Sequence, residues 1–295
     1  MVTVHPGTLS APAGEAVVFA NASGERLIGV WTSATEKELA RGTIVMLHGW
    51  SGYRTGPHLM LSRAAREFAT CGHSVLRFDF AGRGDSEGDA DGTSLATMAE
   101  DTRAALHFCA ERGDDRIILL GLCSGCEVAF AVAGDLGVQA LVLWSAPVFA
   151  AGQGDEVARK RKRIENLASY ASKALKPATW RKILTGRVDM AGVQRAASGG
   201  GGETARNSED GAVGNLPRGW RALAIENFKK FRGPRFLVYG TADPTVTTAL
   251  QWHRKHGHNE PDEHMVAGAN HSFYGLAWER EVIDTTMRWL QEKGI

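Results

Sequence analysis

A cysteine stands at the centre of Gly121-Leu122-Cys123-Ser124-Gly125, directly after the run Arg116-Ile117-Ile118-Leu119-Leu120. The spacing is that of a nucleophile elbow, G-x-S-x-G, where a strand turns sharply into a helix and presents the central side chain; here cysteine replaces serine. Glycines two before and two after the nucleophile suit a turn in which strand and helix backbones pass too closely for side chains. The first amides of the following helix then face the substrate, and the helix dipole favours an anion beside them. That placement also favours thiolate over thiol, and the thiolate is the reactive species. Alone, a G-x-C-x-G is a moderate signal, since a buried free cysteine is usually an inert small hydrophobe.

Such a nucleophile needs a base, a group to orient the base, and donors for an oxyanion. His271, in Gly268-Ala269-Asn270-His271-Ser272-Phe273, is the candidate base. It would take the Cys123 proton, or already hold it as an imidazolium–thiolate pair, and later protonate the leaving group. Asp243, in Gly240-Thr241-Ala242-Asp243-Pro244, would hold the imidazole in the required tautomer. The plainer reading of Asp243 is a turn starter before proline. Near the beginning, Thr43-Ile44-Val45-Met46-Leu47 runs into His48-Gly49-Trp50-Ser51-Gly52. That loop can present the Trp50 amide to an oxyanion, with the Ser124 amide as second donor. His48 is read as support for the loop. Asp79, Gly82, Gly84 and Ser86 are read as a turn without chemistry.

The elements that must position these residues follow from the hydrophobic pattern. Ala16–Phe19 and Arg26–Thr32 read as an antiparallel pair around the turn Asn21-Ala22-Ser23-Gly24. Strands and helices then alternate: Thr43–Leu47, helix Gly56–Cys71, Ser74–Phe80, helix Ser94–Arg112, Arg116–Leu122, helix Ser124–Asp135 and Val138–Trp144. Alternation of this kind means βαβ units and a mostly parallel sheet. From Pro147 to Gly233 the pattern changes. The basic run Arg159-Lys160-Arg161-Lys162-Arg163 opens a helical stretch to Leu175, Pro177 breaks it, and Trp180–Leu184 starts another. Residues 198–214 are polar and Gly-rich, the composition of a flexible segment. Alternation resumes at Arg235, passes through a helix over Thr245–Gly257 and ends in a helix over Gly275–Lys293.

On these motifs the chain resembles the α/β-hydrolase superfamily over residues 15–150 and 233–293. The resemblance rests on His48-Gly49, the Asp79-x-x-Gly82-x-Gly84-x-Ser86 turn, the elbow, Gly240-x-x-Asp243 and the late His271, all in the superfamily's order. It implies an eight-stranded, mostly parallel sheet flanked by helices, with a helical cap inserted between strands 6 and 7. The core would then be residues 1–147 and 234–295, and the cap 148–233. Cysteine at the elbow is similar to dienelactone hydrolases and polyester synthases. Much of the chain, including Trp180-Arg181-Lys182-Ile183-Leu184-Thr185-Gly186-Arg187-Val188, resembles serine-aminopeptidase-like hydrolases associated with exosortase systems. The implied activity is hydrolysis of an ester, thioester or lactone without a cofactor. A thioester intermediate also suits an acyltransferase or cyclase working on a carrier-bound acyl group. Phe149, Trp180 and Trp220 could line an apolar acyl pocket, though core packing explains aromatic residues equally well.

Charge and composition bound the partners. Residues 151–233 carry 17 Lys and Arg against 8 Asp and Glu, leaving 17 against 25 elsewhere. A basic insertion on an acidic body suits an acidic acyl carrier protein or a coenzyme A thioester beside the small acyl substrate. The basic run lacks interleaved aromatics, so no nucleic acid is expected. No apolar run approaches the ~20 residues of a membrane span. Four cysteines without a paired framework, and no signal segment, give the expectation of a reducing, cytoplasmic setting.

Two rival chemistries use the same residues. Cys123-Ser124-Gly125-Cys126 is also a C-x-x-C at a helix start, the arrangement of thiol–disulfide redox proteins. That reading leaves Asp243, His271 and the glycine loop without purpose. His253, His256 and His258 fall close together, but Arg254 and Lys255 between them disfavour a metal, and the expectation is a solvated helix face.

Overall fold

The computed structural model describes residues 12–35, 41–135, 137–148, 216–217 and 219–295. Eight strands form one sheet: β1 (Gly14–Ala20), β2 (Arg26–Thr32), β3 (Thr43–Leu47), β4 (Ser74–Phe78), β5 (Ile117–Leu122), β6 (Val138–Trp144), β7 (Arg235–Gly240) and β8 (Asp262–Val266). Their spatial order is β1-β2-β4-β3-β5-β6-β7-β8. β2 pairs antiparallel with β1 and β4, and the neighbours from β4 to β8 are parallel. This is the expected fold class. β3 and β5 are buried along their whole length, because parallel strands with helices on both faces have no solvent side. Pairing of Leu47 with Gly121 and of Leu122 with Trp144 sets the C-terminal ends of β3, β5 and β6 side by side.

Six α-helices are described: α1 (Met60–Thr70), α2 (Leu95–Glu111), α3 (Ser124–Ala131), α4 (Trp220–Lys230), α5 (Val246–His256) and α6 (Leu276–Lys293). Side chains alternate across the sheet with period two. Ile44, Met46, Ile118 and Leu120 pack with α1 and α6 on one face. Val45, Leu47 and Leu119 pack with α2, α3 and α4 on the other. Ser94 caps α2 in a reciprocal pair with Thr97. α1 starts at Met60, later than expected, because His58 and Leu59 take positive φ of 50° and 64°.

The expected insertion is too long at its C-terminal end. α4 lies within residues 148–233 yet packs on α3: Phe228 is fully buried, with its ring 4.4 Å from Phe130. Asn227 Nδ2 donates to the Ala131 carbonyl at 2.8 Å. Only Ala224 and Phe228 of this helix are buried, a one-turn apolar stripe too short to separate it from the basic stretch before it. The sheet belongs to one compact unit that takes in Met1–Phe149 and Ala212–Ile295. The basic run at 159–163, the helices read over 159–175 and 180–184, and the Gly-rich stretch 198–214 lie outside the described residues. Among the described residues no helix is long and apolar enough to cross a membrane.

Candidate active site

The chain leaves β5 through Cys123, whose φ of 55° and ψ of −125° are sparsely allowed for a residue with a side chain. The surrounding backbone holds it there. The Cys123 amide donates to the Trp144 carbonyl at 2.9 Å, and the Cys126 amide returns to the Cys123 carbonyl at 2.9 Å. A methyl group on Gly121 would lie 2.6 Å from the Cys126 nitrogen, and one on Gly125 would run into the Leu47 backbone. Both glycines of the elbow are therefore required by close approach.

Two loops at the ends of β7 and β8 are joined by hydrogen bonds from the Ala242 amide to the Ala269 carbonyl at 2.9 Å and from the Gly268 amide to Thr241 Oγ1 at 2.7 Å. They bring Asp243 and His271 together. Asp243 is only 2 % exposed, and its Oδ2 bonds His271 Nδ1 at 2.7 Å. Its Oδ1 accepts the Thr245 amide at 2.9 Å and the Thr245 hydroxyl at 2.7 Å. Burial favours the neutral acid, but the His271 and Thr245 hydrogen bonds outweigh it and hold the Asp243 carboxyl below its ordinary range. His271 responds in the opposite sense. Burial pulls its pKa down, and the hydrogen bonds and charges of Asp243 and Cys123 overcome that, raising it to about 10. Cys123, Asp243 and His271 thus form one electrostatic group, drawn from the ends of β5, β7 and β8.

The loop after β3 closes over the elbow. A methyl group on Gly49 would meet Cys123 Cβ and the Leu122 carbonyl oxygen at 3.4 Å and Ser124 Oγ at 3.7 Å, which places this loop against the elbow. His48 is buried, its Nδ1 2.8 Å from the Gly49 carbonyl, and burial pushes its pKa down to about 4. It is a neutral prop inside the loop. Asp79 accepts the Arg54 amide at 2.7 Å, the Arg54 guanidinium and the Asp85 amide at 3.1 Å, tying this loop to the turn after β4. The sequence assigned Asp79 to a turn and missed its hold on the loop.

One expectation changes. The Trp50 amide, read as a free oxyanion donor, donates to Ser124 Oγ at 2.6 Å in a buried contact. The residues that position the acid and the Ser124 hydroxyl were also missed. Thr245 follows Asp243 by two, the spacing of a side chain that bonds the backbone just ahead of it, so that signal was present. Nothing local marks the bond from Trp50 to Ser124.

Cys126 is fully buried within α3, its thiol facing the Trp144 carbonyl at 3.6 Å, and burial pushes its pKa well up. None of the four cysteines is in a disulfide.

The histidines of α5 do not form the solvated face expected of them. His258 is exposed, but His253 is fully buried, its ring 5.4 Å from Phe130 and 5.0 Å from Trp252, and burial lowers its pKa to about 3. With Ala249 it forms the inward face of the helix. No metal-binding cluster occurs among the described residues. Trp220 is half-buried at the start of α4 against the core. Phe149 and Trp180 lie outside the described residues.

The geometry has relatives. The esterase of Pyrococcus furiosus superposes with a TM-score of 0.65 at 17 % identity, covering 99 % of this chain and 94 % of that one. An esterase domain from a Rhodothermus marinus protein gives 0.60 at 17 % identity, over 95 % and 99 %. The thioesterase domain of the curacin biosynthetic pathway gives 0.62 at 17 % identity, over 95 % and 99 %. At such identities the likeness shows a shared fold. No curated protein sequence matches significantly. A family model for the alpha/beta hydrolases matches residues 44–285. Running from the first parallel strand to the last helix, that match establishes that the chain belongs to the alpha/beta hydrolase family.

Proposed function

We propose that the protein hydrolyses a carboxylic ester, thioester or lactone through Cys123, His271 and Asp243. The observation that carries this reading is the Asp243–His271 pair set beside Cys123 at the strand ends. Asp243 binds His271 Nδ1 at 2.7 Å, and Cys123 is the other group that raises the His271 pKa to about 10. A histidine so raised stays protonated at neutral pH and has a proton to give to a leaving group. The kinship in fold to esterases and a thioesterase supports the same substrate class.

Each step balances within these residues. The Cys123 sulfur adds to the carbonyl carbon, and the carbonyl electron pair moves to oxygen. The oxyanion collapses, the carbon–oxygen or carbon–sulfur bond to the leaving group breaks, and His271 gives that group its proton. Water then adds to the acyl-thioenzyme while His271 takes its proton, and collapse returns Cys123 as thiolate with the free acid. Asp243 holds the His271 tautomer throughout.

The test is alkylation of Cys123 by iodoacetamide, mapped by mass spectrometry from pH 5 to 9 in wild type and His271→Ala. The expected result is rapid modification at pH 6 in wild type and a marked fall in the mutant. Slow modification indifferent to His271 would refute the triad.

A further inference from the structure

Ser124 is 4 % exposed, and its Oγ accepts the Trp50 amide proton at 2.6 Å. An amide has one proton to give, so at this distance the Trp50 N–H is engaged. The hydroxyl it binds keeps its own proton, and among the described residues nothing accepts it. Meanwhile the Ser124 amide opens α3, where a helix offers its first N–H groups no internal acceptor. Two donors of one residue are thus uncommitted beside Cys123. Gly49 lies directly against this pair: a methyl group there would touch Cys123 Cβ at 3.4 Å and Ser124 Oγ at 3.7 Å.

We propose that the Ser124 hydroxyl, fixed by the Trp50 amide, donates the loop-side hydrogen bond to the developing oxyanion. Trp50 then acts through Ser124 and is a positioning residue, while Ser124 supplies both its amide and its hydroxyl. This rests on the proposed thiol chemistry and concerns the charge that chemistry develops. A hydroxyl that already accepts a hydrogen bond is polarised and donates more strongly. The bond it makes strengthens again as its acceptor becomes an anion, so it favours the transition state over the bound substrate.

Two reactions of Cys123 separate the hydroxyl from the nucleophile. Alkylation by iodoacetamide develops no oxyanion; acylation by p-nitrophenyl acetate, followed as a burst of p-nitrophenolate, does. Both are measured on the full chain in wild type, Ser124→Ala, Ser124→Thr and His271→Ala. Loss of one oxyanion donor costs on the order of 10²-fold or more in rate. The expected result is Ser124→Ala alkylating at the wild-type rate, acylating about 10²-fold more slowly, and recovering most of that loss as Ser124→Thr. Acylation of Ser124→Ala at or above the wild-type rate would overturn the assignment and return the role to the bare Trp50 amide. Wild type alkylating no faster than His271→Ala would overturn the triad itself, and this assignment with it.

Discussion

Replacing Gly121 by alanine probes the elbow at its tightest point. The added methyl would lie 2.6 Å from the Cys126 nitrogen, 2.7 Å from its Cα and 2.7 Å from the Gly125 carbonyl carbon. All three atoms are backbone, so no rotamer change relieves the contact. Strand and helix must part by roughly 1 Å to reach ordinary van der Waals separation. Overpacking of this kind costs about 1–3 kcal/mol, which for a chain of this size lowers Tm by about 2–10 °C. The activity loss should be larger in proportion. Cys123 sits between β5 and α3, and a displacement of about 1 Å at a reacting group costs on the order of 10²-fold in rate. Gly134→Ala is the control, since a methyl there meets nothing within 4 Å. The assays are a thermal melt and the p-nitrophenyl acetate burst on both variants. Gly121→Ala with wild-type Tm and wild-type burst rate would refute the close-approach account of the elbow.

Asp79→Ala should lower stability in urea by about 3 kcal/mol, because it strips a fully buried carboxylate from the Arg54 guanidinium. A loss under about 1 kcal/mol would mean that Asp85 alone holds the arginine. The His271 imidazolium makes a second prediction with a definite sign. Its folded pKa, about 10, exceeds the ordinary 6.5. Its stabilisation is therefore full below about pH 6.5 and is lost as pH rises towards 10. The gap in Tm between wild type and His271→Asn should be widest at pH 6 and shrink by pH 10, most clearly at low salt because the ring is 36 % exposed. A constant gap would contradict the assignment.

The parts of the site that could be read in the sequence are those fixed by single strand ends. Cys123 announces itself through its flanking glycines, and Asp243 and His271 through chain order after apolar runs. What stayed hidden depends on contacts between distant segments. Ser124 meets Trp50 across the junction of β5 and β3, and only the register of Leu47 with Gly121 brings them together. His253 looked solvated because Arg254 and Lys255 follow it. The ring stack of Phe130, Phe228 and Trp252 that buries it is assembled from three helices. α4 was misplaced for the same reason: its two buried positions acquire meaning only against α3.

The sheet joins Cys123 to His271 without relying on the chain between them. β6 and β7 pair from Leu141 with Arg235 to Trp144 with Val238, so backbone hydrogen bonds, and not the length of the connection between them, set their register. Closure entropy grows only with the logarithm of loop length, and each doubling costs about 0.6 kcal/mol. Away from α4, residues can therefore be inserted into that connection or removed from it at an entropic cost well below that of one buried side chain, while Cys123, Asp243 and His271 stay in register. In this chain the placement of Cys123, Asp243 and His271 and the length of the connecting segment are thermodynamically almost independent variables.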